Sequence, residues 1–368
     1  MATLTVHGAP SEYVLKEGIL NQLEEKLLER KLEKILIIHG EKSWQAAKAF
    51  FPSFNKVVYE EHTYRGECSL MEIEEVANDV QKKLFDAIIG VGGGKVLDLT
   101  KSIGHLTKRP VILIPTLSSN CSPWTPVSVI YDEHGTFSRF DIYPVSPSLV
   151  LIEPRILLQA PINMLIAGIG DTLAKWYEAD VQMEHLVNKS IPLQISHYTA
   201  SQCKDLLLAH STEALKAVQS GNLNDDFLKL VETIIVLGGM VGGFGDHYGR
   251  IAGAHSIHNG LTIIEETHHA LHGEKVAYGI LVQLVLEEKL EEIDKLFSFY
   301  RQLGLPTSLA ELGISNVSDT LIKKMAEKST APEESIHVMP IGQVTSVQVW
   351  KAISFLEKMI ALKKDTVK

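Results

Sequence analysis

Three stretches of this sequence place chemically capable side chains at spacings that local structure can use. In AGAHSIHNG, residues 252–260, His255 and His258 stand three apart and on a helix would share a face. Shortly after, THHALHGEK at residues 267–275 supplies His268, His269 and His272. Upstream, AGIGDTLAKWYEA at residues 167–179 sets Asp171 where a helix is expected to open, with Lys175 one turn further along the same face. One carboxylate with imidazoles from later helical segments is the donor set of a divalent-metal site that keeps a position open for substrate. Each residue alone has a plainer use: an Asp in a first turn favours the helix dipole, and a single His on an apolar face is ordinarily a hydrogen-bonded core residue. His247 and His337 add to the count, and spacing does not decide which histidines meet.

A different chemistry is written in GVGGGKVLD, residues 90–98. Gly92, Gly93 and Gly94 would let backbone N–H groups approach a pyrophosphate, the following helix would add partial positive charge, and Lys95 would reach a phosphate oxygen. The pattern is neither a spaced GxGxxG nor a Walker loop, so a tight turn requiring positive φ is the competing reading. PTLSS at residues 115–119 follows the next apolar run and adds hydroxyls at the same edge. GGMVGG at residues 238–243 has no strand before it and reads as close helix packing.

These side chains need a scaffold, and the sequence reads as two. Helix-like residues 12–31, 43–51 and 69–84 alternate with short apolar runs at 34–39, 56–60, 87–91, 111–114 and 149–152. That rhythm predicts an α/β nucleotide-binding domain with a parallel sheet, ligands lying at the carboxyl ends of its strands. Beyond about residue 161, segments 167–185, 192–218, 226–242, 276–290 and 347–360 carry helical periodicity, which predicts an all-α metal and substrate domain. The expected division is 1–160 and 161–368, with a small-molecule cleft between.

Composition narrows the function. The 368 residues are 45% hydrophobic and 22% charged, as in a soluble globular protein. With 45 acidic against 35 basic residues and no basic run interleaved with aromatics, nucleic acid is not an expected partner. No uninterrupted apolar stretch approaches the ~18 residues of a membrane span, and residues 1–17 lack a basic region followed by an apolar core. Cys68, Cys121 and Cys203 are odd in number and form no CxxC pair, which fits a reducing, cytoplasmic setting.

Taken in order, GVGGGKVLD, PTLSSNCSPWTPVSVIYDEHG, AGIGDTLAKWYEA, AGAHSIHNGLT and HGEKVAYG resemble the iron-containing alcohol dehydrogenase superfamily, in particular its glycerol dehydrogenase-like branch. The resemblance runs from about residue 30 to about residue 315. It implies a dehydroquinate synthase-like fold, a homo-oligomer and an NAD(P)-dependent oxidoreductase acting on a small molecule. It further implies one divalent metal held by Asp171, His255 and His272, with Zn²⁺ placed ahead of Fe²⁺, which uses the same ligands. The cofactor would contact Gly94 and Lys95, with Gly92, Gly93 and Asp98 in the same loop, then Thr116, Ser119, Thr125, Val127 and Tyr131.

Departures from that branch suggest the substrate. Glycerol dehydrogenases carry an Asp where this chain has Cys121, so a polyol loses an acceptor and an anion loses a repulsive charge. Lys175 replaces a residue usually neutral there; it would neutralise a substrate carboxylate, the competing reading being an ion pair with Asp171 or another surface carboxylate. Together with Trp124-Thr125-Pro126 and the segment from Glu334 to His337, these features look closer to the hydroxycarboxylate dehydrogenase branch. The expected reaction is therefore the interconversion of a 2-hydroxy acid and a 2-oxo acid, glycerol oxidation being the alternative, with Asp171, His255, His272 and Lys175 catalytic, and with Cys121, Lys175 and His258 facing substrate. Dehydroquinate synthase chemistry would need a larger basic constellation, and a catalytically silent binding protein would not need all three ligand candidates. Gly40 stands where NAD-using relatives place an Asp, and with Lys42 and Ser43 beside it NADP(H) is preferred over NAD(H).

Overall fold

A computed structural model describes residues 4–366 as two compact units. One comprises His7–Leu165 with Ala214–Met240; the other comprises residues up to Val6, Ile166–Glu213 and Val241 onward. The segment Ala214–Met240, expected with the helical half, thus clusters with the α/β half.

The α/β unit holds eight strands: β1 (Tyr13–Leu15), β2 (Lys34–His39), β3 (Val58–Thr63), β4 (Ala87–Gly92), β5 (Val111–Pro115), β6 (Val127–Tyr131), β7 (Phe137–Ile142) and β8 (Leu149–Ile152). Its helices are α1 (Leu23–Glu29), α2 (Glu41–Ala47), α3 (Leu70–Lys83), α4 (Gly94–Thr107) and α5 (Pro154–Leu158). Six strands form one parallel sheet in the order β1-β8-β5-β4-β2-β3, while β6 and β7 pair as an antiparallel hairpin. The sheet strands read as unbroken apolar runs because both faces are covered. Ile35, Ile37, Ile89, Ile112 and Leu151 pack to one side, against Leu20, Leu23 and Leu27. Leu36, Ile38 and Ile88 pack to the other, against Val76, Val80 and Ile103.

Beyond shifted bounds at β3 and α2 and the short α5, two larger differences from the sequence reading stand out. Residues 12–31 are not one helix: Tyr13–Leu15 extends beside Leu149–Ile152, a short 3₁₀ turn follows, and only Leu23–Glu29 is α-helical. The hairpin was not foreseen as strands at all. Chain order β2, β3, β4 turns back across β2, so β2 and β4 lie side by side and their carboxyl ends form the switch point where this architecture places ligands.

The second unit is helical: α6 (Ile162–Met183, from its fifth residue on), α7 (Ile191–Ser220, up to Glu213), α10 (Gly253–Thr262), α11 (His272–Leu286), α12 (Leu290–Leu303), α13 (Asp319–Ser329) and α14 (Ser346–Thr366). Between them in sequence lie α8 (Asp225–Glu232) and α9 (Gly238–Gly245), joined through a π-helical turn at Thr233–Leu237. The run Asp225–Gly249 is long and apolar enough to cross a membrane by length and composition alone, and just over half of its most apolar 18-residue window is buried, so a core helix passes the same test. Gly239 accounts for the glycine run expected to mark close packing: a Cβ there would lie 2.5 Å from the Trp124 ring.

Close backbone approach also sets the distance between α6 and α11. A Cβ on Gly170 would stand 2.5 Å from the Gly273 carbonyl oxygen, and one on Gly273 would collide with the Ala167 carbonyl. These glycines immediately precede Asp171 and follow His272, so the helices touch through bare backbone beside both side chains.

Candidate metal centre and dinucleotide site

Asp171 lies in the third turn of α6, since that helix begins at Ile162. It is not in a first turn, so the helix-dipole explanation for this carboxylate does not apply. His255 is the third residue of α10 and His272 the first of α11. His272 Nε2 is 3.2 Å and His255 Nε2 3.5 Å from the same Asp171 Oδ1. One ligand atom from each of the three residues lies within 4.8 Å of the others.

That arrangement fits the implied metal. Tetrahedral bonds of ~2.0–2.1 Å put neighbouring ligand atoms about 3.3 Å apart, close to the two distances above. Asp171 and the His255 ring are largely shielded, whereas 52% of the His272 side chain is exposed, so the cluster opens on the His272 side. Three ligands and one open direction are what substrate coordination requires.

The electrostatics are those of a charge-compensated buried cluster. Burial raises the Asp171 carboxyl, but the Lys175 charge and hydrogen bonds from both histidines outweigh it and hold the group well below the usual carboxylate range. Burial likewise disfavours the His255 imidazolium, yet Glu178 and Asp171 prevail and raise its pKa to about 9. His258 goes the other way: burial, then the charges of His272 and His255, keep it neutral.

The outer ring nitrogens are engaged as well. His255 Nδ1 is 2.7 Å from Glu178 Oε2, and His272 Nδ1 is 2.9 Å from His258 Nε2. His258 Nδ1 meets Asn259 Oδ1 at 3.0 Å, and Asn259 Nδ2 donates to Glu334 Oε2 at 2.9 Å. One tautomer assignment would satisfy the chain with an ion bound: His272 donates through Nδ1, His258 accepts at Nε2 and donates through Nδ1, and the Nε2 atoms of both ligand histidines, which otherwise donate to Asp171, are free to give their lone pairs to the ion. His258, expected against substrate, therefore has both nitrogens occupied and orients His272. His268 and His337 hydrogen-bond backbone carbonyls elsewhere, and His247 neighbours Asp246.

In the α/β unit, the expected cofactor residues fall into two groups. Gly40, Gly92, Gly93, Gly94 and Thr116 sit at the carboxyl ends of β2, β4 and β5; Ser43 Oγ accepts from Gly40 N (3.0 Å) and donates to Val91 O (2.9 Å), and Thr116 N donates to Gly92 O (3.0 Å). None of the three loop glycines has positive φ. Their requirement is space: an added Cβ would lie 2.7 Å from Val96 at Gly92, 2.8 Å from Leu117 at Gly93 and 2.9 Å from Asn120 at Gly94. The N-cap residue of α4 is Gly93, which has no side chain with which to cap the helix, and helix N-termini of this kind suit an anion.

The second group lies on or beside the hairpin. Asp98, expected against cofactor, is buried and pairs with Lys101 (2.9 Å), accepts from Ser122 Oγ (2.6 Å) and from Val129 N (3.0 Å), and so fastens β6 to α4. Lys101 in turn donates to the carbonyls of Thr125 and Val127. Lys95, expected on phosphate, reaches Glu67 at 2.6 Å and lies over the Tyr131 ring, 4.6 Å from its centroid. Ser119 and Cys121 are half-buried in the loop after β5. Ser43, offered as a phosphate partner, has its hydroxyl committed to Gly40 and Val91.

Glu178 and Asn259 are the residues sequence reasoning missed. Glu178 lies seven residues after Asp171, hence on the same helix face, which was the available signal.

The sequence signature described as "Iron-containing alcohol dehydrogenase" matches residues 10–154. The chain is 37% identical to hydroxycarboxylate dehydrogenase A of Escherichia coli, across 90% of this chain and 92% of that protein. It is 36% identical to the glycerol dehydrogenase of Thermotoga maritima, across 99% and 100%. The crystal structure of glycerol dehydrogenase from Schizosaccharomyces pombe superposes with a TM-score of 0.89 at 30% identity, covering 100% of this chain and 93% of that one. A sheet with its switch point at β2 and β4, a carboxylate and two imidazoles converging from three helices, and these likenesses lead to one statement: the chain belongs to the iron-containing alcohol dehydrogenase family, whose members are metal-containing NAD(P)-dependent oxidoreductases.

Proposed function

We propose that this chain interconverts a small 2-hydroxy acid and the corresponding 2-oxo acid, with Asp171, His255 and His272 holding a divalent ion, Zn²⁺ ahead of Fe²⁺. The observation that carries the reading is the placement of Lys175, one turn beyond Asp171 on the same face of α6 and near enough for its charge to lower the Asp171 carboxyl. A bound ion supplies Lewis acidity at the substrate oxygen, and a nicotinamide cofactor supplies or accepts the hydride.

The chain's own residues bind and orient. Asp171 contributes the single negative charge of the ligand set. His255 and His272 keep their Nδ1 protons on Glu178 and His258 and present Nε2. Lys175 offers a cation to a substrate carboxylate, and Cys121 in place of a carboxylate removes a charge that would repel one. Support also comes from the likeness to hydroxycarboxylate dehydrogenase A. The open N-terminus of α4 and the glycine-lined strand ends suit a pyrophosphate, and Gly40 with Lys42 favours NADP(H). Other parts of the proposal are cytoplasmic residence and assembly as a homo-oligomer.

Glycerol dehydrogenase is the second reading, favoured by the likeness to the T. maritima enzyme, which extends over more of both chains at nearly the same identity. Purified zinc-loaded protein assayed with 2-oxo acids and with polyols, against both nicotinamide cofactors, separates the two. Turnover of glycerol with none of the 2-oxo acids would overturn the first.

A further inference from the structure

Glu178 is a fully buried carboxylate: 1% of its side chain is exposed. It sits on α6, two turns from Asp171, and its two oxygens receive three N–H groups. Oε1 accepts from Ala252 N at 2.7 Å and from His255 N at 2.9 Å, and Oε2 meets His255 Nδ1 at 2.7 Å. The first two are orphan donors at the start of α10, which has no cap from its own N-cap residue, Ala252. A single side chain therefore fixes both where α10 begins and which way the His255 ring faces.

We infer that Glu178 is a positioning residue for the metal centre, holding His255 in the tautomer and orientation that aim its Nε2 lone pair at the ion. The inference rests on the metal reading above and adds a residue to it. A carboxylate is needed because all three contacts require an acceptor. Glutamine has one acceptor oxygen. If that oxygen keeps the two backbone N–H groups, the amide NH₂ faces Nδ1 and donates to it, which moves the ring proton to Nε2 and blocks coordination. If the amide turns over, its NH₂ confronts two backbone donors. Neither orientation preserves the set, although size and shape are unchanged.

The test compares Zn²⁺ affinity of the wild type, E178Q and D171A by competition with a chromophoric chelator at one pH, beside thermal unfolding of the zinc-free proteins. Wild type should bind Zn²⁺ and D171A should not; equal binding by both would sink the metal reading itself. Given that result, E178Q should bind about 10- to 100-fold more weakly than wild type. Zinc-loaded, ¹⁵N-histidine-labelled wild type should show a solvent-shielded, downfield Nδ1 proton for His255, absent from E178Q. Affinity of E178Q within twofold of wild type overturns the inference, even if its unfolding temperature falls, because that pattern means Glu178 only caps α10. If E178Q does not fold, the wild-type spectrum decides: without a shielded Nδ1 proton on His255, the inference fails.

Discussion

Gly170→Ala sets two familiar effects against each other. Alanine in place of glycine within a helix gains about 1 kcal/mol from backbone entropy. At this position, however, the new Cβ would stand 2.5 Å from the Gly273 carbonyl oxygen and 3.2 Å from Ala277 Cβ. An unstrained carbon-to-carbonyl contact is about 3.3 Å or more, so α6 and α11 must separate by about 0.8 Å. The obstacle is backbone, which cannot swing aside as a side chain would. Overpacking of this kind costs about 1–3 kcal/mol, and a rigid obstacle places it in the upper part of that range. The net is a loss of about 1–2 kcal/mol, equivalent to a fall in Tm of about 2–8 °C for a unit of this size.

The same separation reaches the candidate ligands, because Gly170 adjoins Asp171 and Gly273 adjoins His272. Their 3.2 Å contact would open by a similar amount. Metal–ligand bonds tolerate about 0.2 Å, so Zn²⁺ affinity should fall at least about tenfold. Gly242→Ala is the control: its nearest neighbour would be the Gly249 carbonyl oxygen at an ordinary 3.5 Å, and it should leave stability unchanged or improved. Scanning calorimetry and chelator competition measure both outcomes. A G170A protein that melts no lower than wild type and binds Zn²⁺ within twofold of it would refute the claim that bare backbone contact sets the ligand geometry.

Other perturbations probe the remaining parts. Lys175→Met should raise KM for a 2-oxo acid about tenfold, or about 1.4 kcal/mol, while leaving KM for a diol unchanged; equal effects on both would remove Lys175 from substrate recognition. Gly40 has φ −86° and only ordinary contacts around a new Cβ, so Gly40→Asp fits. It should shift the kcat/KM ratio toward NADH by about tenfold or more, and an unchanged ratio would mean that this strand end does not read the ribose. Burial raises the Glu357 carboxyl against hydrogen bonds from Leu309 N and Tyr278 OH. With its folded-state pKa above the unfolded value, its contribution is full below the unfolded pKa and is lost as pH rises through the folded one. Glu357→Gln keeps an acceptor for both donors, so its Tm relative to wild type should be near zero at pH 4 and positive at pH 7.5; a difference that does not change with pH would contradict this.

How much of this was legible in the sequence follows from the range of the forces involved. Strands β2 and β8 were read with their observed bounds because both faces are buried, leaving unbroken apolar runs that turns delimit. Tyr13–Leu15 was lost inside a helix-like stretch: it is three residues long, and what makes it a strand is pairing with Leu149–Ile152, more than a hundred residues away. The hairpin strand Val127–Tyr131 does alternate in burial, but its residues had been read only as cofactor contacts. At the metal centre, residue types and family motifs nominated Asp171, His255 and His272 together, and the fold brings them together. Glu178 escaped for a physical reason. Its three hydrogen bonds go to residues 74 and 77 positions away, and a carboxylate in the middle of a helix carries no local mark of a long-range acceptor. Lys95 and Asp98 show the opposite case. Both lie in the first turns of α4, directly after the glycines, and look like ligand contacts, yet Glu67 and Lys101 engage them, partners that lie outside the motif or further along the helix and that the glycine pattern gives no sign of.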